Sequence, residues 1–559
     1  MKKFYLYGML WLCAVAVKAQ FTENWNVRYR TTNSSNYSNE GRKVAADANS
    51  NYFVLGDYSS DLDSLGQTAS STQYSVQLQK YDYLGNLINR RYINVGGLIN
   101  TATENRSGFG LELDAGGHVY IGYNVLNASG NYDVIIEQYT NSLSLVWSYR
   151  YNTGNNDVGV AMKVISGGSV VTVVKSYTPS ITTYSVLNAK GTQTVSTPLY
   201  SFAQNTEVIN GLSTSGKLFY FSGYSLSSGI KSVLTACVSN FGSLKWKVSY
   251  DHGTPSSGDD YSNAMIVAAD GYIYDIGTTY TNAANGNDGV VLRYNTSGTL
   301  MSSLLLNSSV ADVGAVIIDG PSGYLYAGCT NATSMKVYKI QTNPLVANLS
   351  ATYSPSPVGS FTAVTNVTIT DIKVASSGNA YVCGYLDATS SAGPITASLL
   401  GKFGMFGIVF KLLNAQTVEG NFTDNYRSVS MLLDGYKTDI VVVRNYFSTN
   451  SSHAIEKVYL NDYDGGAGMR LANFEASEME ATSSVALFPN PAKDVLNVTA
   501  NENISSVTIT DLTGRVVKSV SDVHLPESKL ELNELRQGLY VCRIEGESGA
   551  VTLKKLMIQ

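Results

Sequence analysis

Carboxylates set beside serine and glycine are the side chains in this sequence whose types and spacing best suit chemistry. In SSGDDYSNAMIVAADGYIYDIG, residues 256–277, the adjacent pair Asp259 and Asp260 could offer oxygens to a hard cation such as calcium, or an acid and a base to a substrate. Asp157 and Asp312 stand at matching places ahead of apolar runs, and Asp61-x-Asp63 and Asn461-Asp-Tyr-Asp464-Gly are looser variants. The calcium-loop signature alternates its ligands and ends in glutamate, and the 259–260 pair does neither. A recurring Asp at a strand entrance is explained more simply by an Asx-type turn, in which the carboxylate accepts nearby backbone N–H groups. No cofactor is therefore expected, and calcium is the one ion the acids leave open.

Other chemistries lack their residues. The four histidines, His118, His252, His453 and His524, show no H-E-x-x-H or paired ligand spacing. There is no G-x-S-x-G elbow and no phosphate loop of the nucleotide type. Beyond Cys13, the cysteines Cys237, Cys329, Cys383 and Cys542 form no C-x-x-C pair, so buried free thiols are expected rather than a zinc knuckle or redox motif. Any enzyme here would have to be assembled from dispersed Asp, Glu and Tyr. That reading stands as the alternative to a binding or structural role.

The elements that carry these residues repeat. Gly117-His-Val-Tyr, Gly168-Ser-Val-Val, Gly216-Lys-Leu-Phe, Gly271-Tyr-Ile-Tyr, Gly323-Tyr-Leu-Tyr and Gly378-Asn-Ala-Tyr each start an apolar strand, 48 to 55 residues apart. Asn51-Tyr-Phe-Val precedes them and Gly435-Tyr-Lys-Thr follows, giving eight units, with seven as the alternative count. In the fifth unit NAMIVAAD reads as a strand ending at Asp270-Gly271, a two-residue hairpin signal; YIYDIGTTY, DGVVLRY and TLMSSLLLN follow as strands. Four short strands repeated at about 50 residues is the pattern of a β-propeller blade, whose two apolar faces are buried only against neighbouring blades.

Three strands share one pattern: Trp25-Asn-Val-Arg-Tyr29, Trp147-Ser-Tyr-Arg-Tyr151 and Trp246-Lys-Val-Ser-Tyr250. The last two close their units, while the first stands alone. Residues 24–30 are therefore expected to pair with the final unit near 427–463 and close the ring, with Met469–Phe474 as a competing closing strand. Loops between second and third strands are the expected binding positions, above all Leu386 to Lys402, with Tyr58, Tyr123, Tyr224 and Tyr280 as rings for glycan or protein contact.

Composition fits an all-β surface. Charged residues are 14% of the chain, against roughly 25% in an average soluble protein, while Gly (50) and Tyr (39) are abundant. The net charge of -5 argues against nucleic-acid partners. MKKFYLYGMLWLCAVAVKAQ reads as a signal peptide over residues 1–19, with cleavage between Ala19 and Gln20, because its apolar run is shorter than the ~20 residues a membrane span needs.

YDHGTPSSGDDYSNAMIVAADGYIYDIGTTY, NDGVVLRYNTSG and WSYRYNTGNNDVGVAMKV resemble the SBBP-type bacterial β-propeller repeats. That resemblance covers roughly residues 24–475; it implies the fold and names no common ligand. The propeller is placed over 20–474. Sialidase-type propellers would carry repeated S-x-D-x-G-x-T-W boxes and quinone-dependent ones a repeated Trp-docking signature, and both are missing.

Past FEASEMEATSS, with the linker at 475–484, the texture changes. Val495-Leu-Asn-Val, Val507-Thr-Ile-Thr, Tyr540-Val-Cys-Arg-Ile and Val551-Thr-Leu read as strands of a small Ig-like β-sandwich over 485–559. This tail is similar to the type A sorting domain of the type IX secretion system of Bacteroidetes-like bacteria. The match rests on Phe488-Pro489-Asn490-Pro491, on Asp511 and Gly514 in a turn with Arg515, on Gly538 and Tyr540, and on Lys554 and Lys555. The resemblance implies passage across the outer membrane to the surface or the medium, with the secretion machinery and its sortase as partners and attachment to surface glycolipid as one outcome.

Overall fold

The computed structural model describes residues 21–29, 39–59, 74–94, 108–252, 258–282, 286–306, 311–354, 361–376, 378–390, 393–404, 407–413, 425–434, 439–447, 452–460, 486–510, 516–547 and 551–559. The chain divides into two units, residues 1–462 and 463–559. The first holds eight sheets, blades 1 to 8, whose first strands are Asn39–Ala46, Gly108–Leu113, Asn156–Ile165, Glu207–Ser215, Tyr261–Val267, Val313–Asp319, Phe361–Val374 and Asn425–Asp434. Each carries four antiparallel strands, consecutive in the chain except in blades 3 and 8, and their second strands follow the eight positions read from the sequence. The first strands of successive sheets touch in cyclic order, and the first strand of blade 8 touches that of blade 1. The result is an eight-bladed β-propeller.

One turn chemistry recurs through the ring. In blade 5 Ala268 and Tyr272 pair across Ala269-Asp270-Gly271, and the Gly271 N–H donates to the Ala268 carbonyl at 2.9 Å. The loop therefore has three residues rather than the two expected, and Gly271 closes it at φ 81, a conformation glycine adopts without steric cost. Where the turn begins with Asp or Asn, that side chain fixes it. Asp114 Oδ1 accepts the N–H groups of Gly116 and His118, and Asn295 Oδ1 those of Ser297 and Thr299. Asx chemistry thus lives in these hairpins. Second-strand tyrosines lock onto the same turns, as Tyr120 donates to Asp114 at 2.8 Å and Tyr274 to Asp270 at 2.7 Å.

A second regularity lies in the inner strands. Every blade has a β-bulge in its first strand, at Gly41/Lys43, Gly108/Gly110, Gly159/Ala161, Ile209/Gly211, Ser262/Ala264, Gly314/Val316, Ile369/Asp371 and Ser428/Ser430. The bulge sharpens the local twist and leaves one residue unpaired. Asn210 and Asn263 are two of these unpaired residues, and their amides donate to the carbonyls of Ser262 and Gly314 in the next blade at 2.8 and 2.7 Å. Opposite the bulge the second strand carries a glycine in six blades, while blade 3 has Val173 and Val174 there and blade 8 Val443 and Arg444. A Cβ on Gly223, Gly277 or Gly384 would strike the backbone carbonyl of Val208, Tyr261 or Thr368.

Strand Phe21–Tyr29 closes the ring. It pairs antiparallel with Ser452–Leu460, from Phe21 opposite Leu460 to Tyr29 opposite His453, and so completes blade 8 as its fourth strand. This is the closure expected for residues 24–30, and His453 lies within the strand it pairs with. The competing Met469–Phe474 lies outside the described residues. Apolar packing between blades supplies the core, with Tyr52, Tyr81, Tyr120, Tyr139, Tyr151, Tyr220, Tyr274, Tyr294, Tyr326 and Tyr381 buried almost completely. These ten tyrosines therefore serve blade packing.

Three expectations change. Residues 386–402 form no long loop: Ala380–Ser390 and Gly393–Gly404 are paired to their ends, because Leu386, Ala388, Ala397 and Leu399 alternate onto a buried face. Tyr58, Tyr123, Tyr224 and Tyr280 lie in second strands, and Tyr123 is buried. Blade 3 is irregular. After its third strand the chain adds Gln193–Val195 in parallel to the last strand of blade 2, then returns past Pro198 for a two-residue fourth strand, Tyr200–Ser201.

In the second unit five strands form one sheet folded over itself. Val495–Thr510 is a single long strand, where two separate strands were expected. Its first half lies between Ala486–Phe488 and the end of Val516–Glu531; its second half lies between the start of that strand and Gly538–Gly546, with Val551–Ile558 beyond. The bend brings Leu496 and Val498 into one core with Val507, Ile509, Ile544 and Leu556, which makes a sandwich.

Candidate functional site

The acids that opened the sequence reading are structural brackets in this ring. Asp260 is 3% exposed and takes three donors: the His252 N–H at 2.8 Å, Thr279 Oγ1 at 2.6 Å and the Tyr280 N–H at 2.9 Å. These come from the end of blade 4 and the second strand of blade 5, so Asp260 ties two blades and is no local Asx turn. Its neighbour Asp259 pairs instead with Lys231 Nζ at 2.8 Å, and that ammonium holds the carboxyl below its usual range. The two members of the pair therefore point to different partners.

Asp157 plays the same part in blade 3, accepting the Thr153 N–H at 2.7 Å and the hydroxyls of Thr153 and Ser176. Burial pushes its pKa up, and these donors counter the effect. Blade 4 has a member that spacing did not reveal. Glu207 lies two residues before the bulge, as Asp157, Asp260 and Asp312 do, and it accepts the Ala203 N–H at 2.7 Å and Lys247 Nζ at 2.6 Å. The signal was present in the repeat alignment but hidden by the change from Asp to Glu. Asp61, Asp63 and residues 461–465 lie outside the described residues.

Described bulge positions on the inner strands carry Arg42, Phe109, Val160, Asn210, Asn263, Ala315 and Thr370, and none is a carboxylate. Among the described residues no group of three or more His, Cys, Asp or Glu stands where it could hold a metal. Cys237, Cys329, Cys383 and Cys542 are buried free thiols; burial pushes the Cys237 thiol up to about 11 and Cys383 and Cys542 up to about 12, away from reactivity. One carboxyl is set apart. Asp275 is 1% exposed, accepts Thr235 Oγ1 at 2.9 Å and the Ser262 hydroxyl, and is pushed up to about 7 by burial.

The irregular strand of blade 3 builds a cleft. Thr192, Gln193 and Thr194 face Tyr123, Ile135, Ser148 and Arg150 of blade 2 across an open volume of about 410 Å³. Arg150 is fixed there because Asp133, fully buried, accepts its Nε at 2.6 Å and also its Nη2. Hydroxyls, an amide and a guanidinium edge thus surround a partly apolar floor.

In the second unit the Phe-Pro-Asn-Pro stretch holds the last strand. Asn490 Oδ1 accepts the Met557 N–H at 2.8 Å, while Ala492 donates to Met557 and accepts from Gln559. Pro489 and Pro491 flank Asn490 and carry no N–H groups of their own to satisfy at this bend. Tyr540 is 8% exposed and donates to the Arg536 carbonyl at 2.8 Å, pinning the loop before its strand. Gly538 opens that strand, and Lys554, exposed, and Lys555 lie on Val551–Ile558 beside it. Asp511 and Gly514 are outside the described residues, as are Ala19 and Gln20.

Residues 486–559 match the secretion system C-terminal sorting domain. The chain carries a type IX sorting domain. Proteins with this domain are exported by the type IX machinery to the cell surface or the medium, so this chain engages that machinery. No curated relative matches the chain. Among solved structures, the Dos1 propeller is 9% identical, with 79% of this chain and 96% of that one covered at a TM-score of 0.36. The β-propeller domain of the trilobed protease from Pyrococcus furiosus, described as having an open velcro topology, is 9% identical over 70% of this chain and 98% of that one, at 0.37. A Dyadobacter fermentans protein of unknown function is 7% identical over 79% and 99%, at 0.34.

Proposed function

We propose that this chain is a secreted or surface-exposed binding protein: a propeller that takes a glycan or a protein ligand, delivered by its sorting domain. The match of residues 486–559 carries the export half of this reading. The cleft beside Gln193 supports the binding half, because it presents hydroxyls and an amide at about 410 Å³, within the range of small-ligand sites. Its polar groups suit a polyhydroxylated ligand better than a charged one. After export, the sortase of the system removes the tail, and the mature ring is released or attached to surface glycolipid.

A glycan array probed with the full chain, followed by turnover assays on every hit, tests the proposal. Binding without turnover, lost in Gln193→Ala and Thr192→Val, is the expected result. Turnover of a bound polysaccharide would replace it with an enzyme, and no binding to any glycan or co-purifying protein would leave a structural surface component.

A further inference from the structure

At the boundary of blades 5 and 6 two buried carboxylates each keep an oxygen that meets no donor. Asp288, in the third strand of blade 5, is fully buried; Thr281 Oγ1 lies 2.6 Å from its Oδ2, and its Oδ1 has no hydrogen-bond partner. Asp312, 2% exposed at the entrance to blade 6, accepts Asn331 Nδ2 on Oδ1 at 3.1 Å, and its Oδ2 has none. The two stand on adjoining backbones, since the Asp312 N–H donates at 2.7 Å to the carbonyl of Asn287. Both also act on the same two groups, opposing ionisation of the Cys329 thiol and the Tyr338 hydroxyl.

The ring contains its own comparison. At the boundary of blades 2 and 3 the equivalent acids are Asp133 and Asp157, as the register shows: Val134 pairs with Tyr151 where Gly289 pairs with Leu306. There Asp133 accepts Asn127, Asn152 and the Arg150 guanidinium, while Asp157 takes Thr153 and Ser176. The charge of the pair is met by a cation. In blade 5 the same register puts Leu305, opposite Val290, where Arg150 stands opposite Ile135. At the boundary of blades 4 and 5, Ser232 takes the Asp288 position, and the single acid Asp260 is fully served by donors. Only the boundary of blades 5 and 6, among these three, has two acids without a protein cation. Lys336 rests over the Tyr338 ring, 4.9 Å from its centroid, and forms no ion pair with either acid among the described residues.

Buried charge is stable only when paired. We propose that Asp288 and Asp312 bind a calcium ion between blades 5 and 6, in the role that Arg150 fills between blades 2 and 3. Asp288 Oδ1 and Asp312 Oδ2 supply two negative charges for one divalent cation. The Thr281 hydroxyl and the Gly286 carbonyl, 3.1 Å apart, add neutral oxygens beside Asp288. An all-oxygen donor set suits a hard cation, and the neighbouring Cys329 is held protonated by burial, which disfavours thiophilic metals. Two carboxylates give the affinity of an extracellular module, on the order of 0.1–1 mM, matched to calcium outside the cell. The inference is independent of the ligand-binding reading.

Calorimetric titration and thermal melts of the chelator-stripped full chain with calcium chloride test it. One ion per chain and a rise in Tm of about 2–3 °C at ~10 mM calcium are expected. Asp288→Asn and Asp312→Asn should each weaken calcium binding ~10-fold or more, while Asp157→Asn should keep it. Asp288→Ser, which copies blade 4, serves if the Asn variant fails to fold. Absence of calcium uptake and of any Tm change in the wild-type chain would overturn the site. So would Asn variants that bind calcium as well as the parent, or that melt higher than the parent with calcium making no difference, the mark of a shared proton.

Discussion

Replacing Asp275 with asparagine should stabilise the ring at neutral pH and flatten its pH dependence. Asp275 lies in the second strand of blade 5, 1% exposed, with two hydroxyl donors, Thr235 Oγ1 and Ser262 Oγ. Tyr294 is itself buried, and its ionisation is opposed first by that burial and then by the charge of Asp275. Burial moves the carboxyl from 3.8 to about 7. Between those values the folded chain holds a proton that the unfolded chain has lost, so stability is fully present below about pH 4, falls as pH rises, and levels off above about pH 7. A shift of about 3 units at 1.36 kcal/mol each gives a loss of about 4 kcal/mol by pH 8, as an upper limit. For a ring of about 440 residues, with an unfolding entropy near 2.1 cal/mol/K per residue, that is about 4 °C in Tm. Asparagine keeps an acceptor for one hydroxyl and offers an N–H to the other, and it carries no charge. Scanning calorimetry of parent and variant at pH 4 and pH 8 reads the effect. The Tm of the variant should gain about 4 °C relative to the parent between the two pH values. A difference between the two proteins that stays constant with pH would refute the reasoning.

Removal of residues 21–30 should lower the Tm by several degrees and promote association through the freed edge of Ser452–Leu460, visible by light scattering. Gly277→Ala puts a methyl against the Tyr261 carbonyl, where no flexible atom can yield, and should cost about 1–3 kcal/mol in a denaturant melt. Asn490→Ala leaves the Met557 N–H without its acceptor and should cost about 1 kcal/mol in the sorting domain, read by faster amide exchange in the last strand. Dithiothreitol should leave the melting curve unchanged, since the four described cysteines are free thiols.

Much of the architecture was legible because the repeat writes it eight times. The Asp-x-x-Gly turns, the Gly before each aromatic strand and the Trp-x-x-x-Tyr pattern each follow from local backbone demands, so blade count and closure by Phe21–Tyr29 could be read from one chain. Where local rules give out, the sequence misled. Residues 386–402 read as a long insertion between second and third strands, yet alternate small and apolar side chains pair the segment to its ends. The excursion of Gln193–Val195 onto blade 2 depends on a parallel pairing that no periodicity announces. Asp157, Asp260 and Asp312 were found by position, but their bracing role was not, because it rests on side chains 19 residues further along, Ser176, Thr279 and Asn331, that only the folded blade brings back to them. Asp288 matters only because Leu305 replaces an arginine across the sheet, a contrast that needs the register of two blades to see.

Export by the C-terminal domain is the claim on which the functional account rests, and cell fractionation in a type IX-competent host measures it directly. The full chain should be found on the surface or in the medium, and a chain ending at residue 479 should stay in the periplasm as a folded ring. A reporter carrying residues 480–559 should follow the full chain. Equal delivery of the truncated chain to the surface, or retention of the tailed reporter in the periplasm, would contradict the account.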